Sequence, residues 1–188
     1  TIIIKVAGML VGYAFIILLS RKYGAEAVGI YQISLQFITV MAAISLFGLD
    51  QAIIRFSSEL FSKNHINELK QILVRFSLVS SGLSMFFAYL TYVNASKLAV
   101  IFLKNHNYEN IFQVIAVAIP VFTLNLLFVE LIRGLRKIKH SEFLRLFSPR
   151  FFNLIAFLLI LLIADFNHLL PVLTYVGAVA LTLCFAFY

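Results

Sequence analysis

The chain has 188 residues, 62% hydrophobic and only 12% charged, with a mean hydropathy of +1.01 and a formal net charge of +7. A soluble domain carries about a quarter charged residues, so half that share excludes a water-covered globule and requires lipid around most of the surface. The basic residues stand between apolar runs rather than on one polar face, which sets nucleic acid aside as a partner and points to topology and anionic headgroups.

A helix crosses a hydrocarbon core of about 30 Å with roughly 20 apolar residues. The sequence predicts an all-α, polytopic integral membrane protein with six such spans, at about 1–20, 28–49, 72–93, 111–132, 147–165 and 169–188. Only Lys5 interrupts the first. A short charged turn follows, with Arg21, Lys22, Gly24, Glu26 and Gly29. It makes the first two spans an antiparallel hairpin, with Gly24 as a helix stop behind two cations that suit the negative helix end. The second span carries Gln32 and Gln36.

Beyond it, residues 49–61 place Leu49, Ile53, Phe56 and Leu60 on one face, with Asp50, Arg55 and Glu59 largely elsewhere. That pattern fits either a helix lying at the membrane interface or a cytoplasmic extension of the second span. The third span holds Arg75 near its start. Pro120 in the fourth removes a backbone hydrogen bond and is expected to kink it. Asn125 and Glu130 lie in the same span, with Arg133 three residues after the acid. The fifth is short from Phe151 onward, but Phe143, Leu144, Leu146 and Phe147 extend it upstream past Pro149. The sixth contains the lone cysteine, Cys184, so no disulfide or zinc framework exists within the chain. The histidines, at 65, 106, 140 and 168, have no ligand spacing, and neither metal nor cofactor is expected.

Cations divide unevenly between the two ends of these spans. Counting Lys5 and Arg75 with the connections 50–71 and 133–150 gives eleven on one side against four (Arg21, Lys22, Lys97, Lys104) on the other. The positive-inside rule then places the amino terminus and both rich connections in the cytoplasm.

Chemistry-bearing residues are few, and no nucleophile–base arrangement or phosphate-cradling glycine loop is visible. Glu130 is the one acid within a span, where a charge costs about 2.5–3.5 kcal/mol at the centre. An ion pair with Arg133 on one helix face near the cytoplasmic end is the simplest account of it. Arg75 and Lys5 either reach the headgroups along their aliphatic stems or face an interior anion; Arg21 has the same two readings. Gln32, Gln36 and Asn125 either line a polar interior or bridge helices by hydrogen bonds. Arg21, Gln32, Gln36, Arg75, Asn125 and Glu130 are the candidate substrate-binding residues. Tyr13, Tyr23, Tyr31, Tyr92 and Tyr108 read mostly as an interfacial aromatic belt.

Three stretches resemble a known family. The run Arg21–Tyr31 (R-K-Y-G-A-E-A-V-G-I-Y) is similar to the Arg-x-x-Gly-x-x-x-x-Gly-x-Tyr turn of polysaccharide transporters of the O-antigen flippase type. Phe47–Phe56 (F-G-L-D-Q-A-I-I-R-F) resembles the end of their second helix, and Leu131–Lys137 (L-I-R-G-L-R-K) the basic loop after their fourth. These belong to the superfamily of multidrug, oligosaccharidyl-lipid and polysaccharide exporters. The resemblance implies that residues 1–188 are the N-terminal six-helix lobe of a two-lobe exporter, with the C-terminal lobe of the same chain as its partner. It further implies a plasma or inner membrane protein that flips a lipid-linked oligosaccharide from the cytoplasmic to the outer leaflet by alternating access, without covalent chemistry. Two departures stand out. The second span lacks the deep arginines of lipid II flippases, and no acid lies mid-span as in the multidrug exporters. A drug or small-solute exporter of the same superfamily is the alternative within transport; a membrane-embedded enzyme of envelope synthesis is the alternative outside it.

Overall fold

The computed structural model describes residues 2–161 and 169–186, and every regular element among them is helical. Residues 162–165 of the expected fifth span, the connection after it and the last two residues of the sixth lie outside the described residues. The first element, α1 (Ile2–Leu46), is twice as long as a bilayer requires. At Gly24 its backbone takes φ 81° and ψ 178°, a region that only glycine enters without strain. The chain doubles back there. Phe15 and Tyr31 would lie about 24 Å apart along a straight helix, yet their ring centroids are 5.0 Å apart. The predicted hairpin is therefore present, and a single glycine makes its turn. Beside that turn, Tyr108 Oη donates to Glu26 Oε1 at 2.7 Å, tying the hairpin to the start of α5 (Glu109–Gly134).

Phe47 and Gly48 take positive φ and end the second arm. The amphipathic stretch that follows is a helix of its own, α2 (Leu49–Ser62), not a straight extension of the second span. Its Ile53 and Ser57 are buried, and α5 lies against them. The contact is close: a Cβ on Gly134 would overlap Ser57 Oγ and stand 2.8 Å from the Ile54 carbonyl.

Next come α3 (Ile66–Val93), α4 (Ala95–Leu103), a 3-10 turn (His106–Tyr108) and α5 (Glu109–Gly134), which continues through Pro120. Then follow α6 (Ile138–Glu142), a π-helical turn (Phe143–Phe147), α7 (Ser148–Leu161) and α8 (Leu170–Ala186). Pro149 has no amide hydrogen to offer Arg145 four residues back, so the α ladder is interrupted at the wide turn.

Helix α5 is the hub. Its Ile111, Phe112, Ile115 and Ile119 pack with Ile30, Phe37 and Ile38 of the second arm, Ala95 and Ala99 of α4, and Val172 of α8. Large apolar side chains such as Ile3, Leu10, Leu78, Met85 and Phe86 remain exposed on the outside, as a lipid surround requires. Four helices are long and apolar enough to cross a bilayer by length and composition: Ile2–Leu46, Ile66–Val93, His106–Gly134 and Ile138–Ile160. Six spans were expected; the difference lies in α1, which counts once although it folds into two arms, and in α8, which is apolar but shorter. The chain is a multi-pass membrane protein.

Two glycines can be tested against a third. Gly24→Ala and Gly134→Ala are each expected to lower stability by about 1–3 kcal/mol, one through strained backbone and one through overpacking. Gly29, with nothing within 4 Å of an added Cβ, should tolerate alanine or gain from it. Thermal unfolding of the three variants in detergent checks the order.

Candidate functional site

The two arms of α1 touch near the turn and part away from it. Phe15, Leu19, Ala27, Tyr31 and Phe157 close the turn end, with Phe15 and Phe157 meeting edge to face at 5.1 Å. Below this cluster the arms flank an open cavity of about 580 Å³, along which Met9, Tyr13, Gln32, Gln36 and Thr39 are exposed, a size within the usual range for ligand pockets. Gly12, Tyr13 and Ile16 form one wall; Gln32, Leu35 and Gln36 form the other. Helices α7 and α8 supply the floor, through Arg150, Asn153 and Tyr175.

The polar groups of this floor are specific. Asn153 is 1% exposed, and its Nδ2 donates to Tyr31 Oη at 3.2 Å. Its Oδ1 is buried without a hydrogen-bond partner among the described residues, an arrangement that normally costs about 1–3 kcal/mol. Arg150 is half-buried and is the one charged residue among those that line the cavity. A guanidinium, a free carboxamide oxygen and two glutamines can hold an anionic group and hydroxyl groups beside it.

The six candidate residues fall in different places. Gln32 and Gln36 line the cavity together. Arg21 is exposed beside the hairpin turn, and Arg75 is exposed on α3; neither reaches the cavity. Asn125 is buried at the α5–α8 contact, where Thr182 Oγ1 donates to its Oδ1 at 3.4 Å. Glu130, 6% exposed, pairs with Arg133 at 3.4 Å as its spacing suggests. A second and shorter pair, to Arg145 at 2.8 Å, comes from the π turn. Ser141 Oγ donates to the Val129 carbonyl at 3.1 Å, and Lys5 meets Glu142 at 3.5 Å, so this end of the bundle is laced by polar contacts.

Arg150, Asn153, Tyr31 and Tyr175 escape the sequence reading. Arg150 counts there among the cations of a cytoplasmic connection, because the apolar run is drawn from Phe151; in the structure it belongs to the first turn of α7. Tyr31 is expected in an interfacial belt, yet it is 5% exposed, with its ring packed against Phe15. One signal for this wall was available: Gly8 and Gly12 form a Gly-x-x-x-Gly pair inside an apolar run, the pattern that lets two membrane helices approach closely.

A family model described as "Polysaccharide biosynthesis protein" matches residues 1–188. No curated protein and no solved structure matches the chain.

The Glu130 network yields a double-mutant test. Glu130→Ala is expected to cost about 1–2 kcal/mol, less than a fully buried pair because both guanidinia are nearly half exposed. Arg145→Ala should cost a similar amount, and the double variant little more than either single one. Thermal unfolding of the four proteins measures the coupling; additive losses would count against a shared interaction.

Proposed function

The chain belongs to the polysaccharide biosynthesis protein family, and from that premise we propose that it forms one lobe of a flippase for lipid-linked oligosaccharide. The observation that carries the reading is the chemistry of the cavity. A phosphate-linked sugar headgroup cannot enter hydrocarbon unaided, because each unpaired polar group costs several kcal/mol there. The cavity offers such a headgroup one cation, two glutamines, an asparagine with a free carbonyl oxygen and tyrosine hydroxyls. No carboxylate is among its lining residues, so it suits anionic and hydroxyl-bearing cargo better than the cationic solutes of a drug exporter.

In this proposal Gln32 and Gln36 meet the sugar hydroxyls and Arg150 meets the phosphate oxygens. Arg21 and Arg75 serve as headgroup anchors, while Asn125 and Glu130 hold helices together. The turn end of α1 is closed by aromatic rings and the other end is open. With the amino terminus cytoplasmic and the protein in the plasma or inner membrane, the cavity faces the cytoplasmic leaflet, where the substrate is loaded. A second lobe completes the pathway opposite the exposed mouth, and the two alternate access without covalent chemistry.

Leaflet accessibility of a labelled lipid-linked oligosaccharide in vesicles tests this directly. Arg150→Gln is expected to slow transport about 10–100-fold, the effect of losing one charge-assisted contact of 1.5–3 kcal/mol. Arg21→Gln should stay within about twofold of the parent, as expected for an exposed surface charge. Full transport by Arg150→Gln would exclude this cavity as the route.

A further inference from the structure

We propose that Gly12 is a positioning residue for Arg150: the absent side chain at that place on the first arm is what lets the guanidinium stand inside the cavity. The inference deepens the reading of the cavity given above, and its significance rests on that reading, although its test does not use transport.

The two glycines of the first arm are four residues apart and so share one face of the helix. Helix α7 and the turn before it lie on that face, and the two positions meet different things. A Cβ on Gly8 would stand 2.9 Å from the Leu146 carbonyl oxygen and 3.2 Å from its carbon, so Gly8 serves the approach of one backbone to another. A Cβ on Gly12 would stand 3.3 Å from Arg150 Cδ, 3.6 Å from Nε and 3.9 Å from Cζ. No backbone atom is among those neighbours. The outer half of the arginine side chain therefore runs along the bare surface of Gly12 on its way to the cavity.

The alternative course for such a side chain is outward. Arg150 lies in the first turn of α7, beside half-exposed Phe151 and a short distance from the basic connection. From there a long cationic chain ordinarily extends to headgroups and water. The channel over Gly12 gives the guanidinium an inward course toward Gln36 and Asn153, which line the same cavity. An added methyl narrows that channel by a few tenths of an ångström, which displaces a flexible arginine only in part. A leucine fills it.

The test reads the electrostatic field in the cavity. In native membrane vesicles, the parent carries Cys184→Ser and Gln36→Cys, so the reporter thiol faces the cavity. Its labelling rates by a sulfonate-bearing and by a trimethylammonium-bearing methanethiosulfonate give an anion-to-cation ratio. Removing the charge by Arg150→Gln should lower that ratio roughly tenfold relative to the parent. Gly12→Leu should lower it as far, with the arginine still present, and Gly8→Ala should leave it unchanged although it strains the seam more. If Gly12→Leu does not accumulate, Gly12→Ala carries the same test with a fall of roughly twofold. A parent-like ratio in the Gly12 variants, or an equal fall in Gly8→Ala, overturns the proposal; so does an Arg150→Gln ratio that does not move. A failure of the transport assay leaves these ratios untouched, so the two readings fail separately.

Discussion

Hydrocarbon offers a peptide group no hydrogen bond, and that constraint shapes this molecule from the backbone outward. All its regular elements among the described residues are helices, and the breaks between them are confined to residues that tolerate left-handed backbone or sit at helix ends. The same constraint sorts the polar side chains. Within the spans, Ser34, Ser45, Thr91 and Thr123 return their hydroxyls to carbonyls four residues back in their own helix. Such groups are satisfied locally and say nothing about a ligand. Asn125 and Glu130 are satisfied across helices instead, whereas Gln32, Gln36, Arg150 and Asn153 converge on one cavity.

Two charged arrangements show how differently a bundle can tolerate an ionic group. Glu130 is closed off, with a nearly buried carboxylate held between Arg133 and Arg145. Both of its oxygens are occupied, and the network joins α5 to the π turn. Arg150 has no carboxylate partner among the described residues, and the nearby Asn153 Oδ1 is unpartnered. A closed pair favours one arrangement of helices; an open cation beside an open acceptor favours whatever brings the missing partners. In the proposed function the first belongs to architecture and the second to binding, although sequence alone ranks Glu130 above Arg150 as a candidate.

That ranking marks what was legible. Segment length and charge asymmetry are one-dimensional properties, so the apolar runs, the hairpin and the amphipathic α2 could be read from residue order. The Glu130–Arg133 pair was legible too, because three residues along a helix is a fixed distance. Arg145 lies fifteen residues from Glu130 and reaches it only through the reversal at Gly134–Lys137 and the π turn, which no periodicity encodes. Arg150 was hidden for a related reason. An arginine next to a proline at the edge of an apolar run looks like the end of a loop, and its inward course runs over the bare surface of Gly12, on another helix. Tyr31 was misplaced because an aromatic near a charged turn has the same local sequence whether it faces headgroups or the opposite arm.

The way the cavity is built also limits how it can close in the proposed cycle. The second arm is locked into the core around α5 through Ile30, Phe37 and Ile38, so moving it would cost contacts along the whole bundle. The first arm is held by the π turn, by α7 and by the aromatic cluster near the turn. A hinge at Gly24 would displace Met9, about 22 Å along the first arm, more than Phe15 at about 13 Å or Leu19 at about 7 Å. The seam at Gly8 and Gly12 sets the first arm against the π turn and Arg150, so in the proposed cycle they would move as a pair. Closure by that pair would have to loosen the Arg145–Glu130 and Ser141–Val129 links to α5 and the Asn153–Tyr31 bond to the second arm.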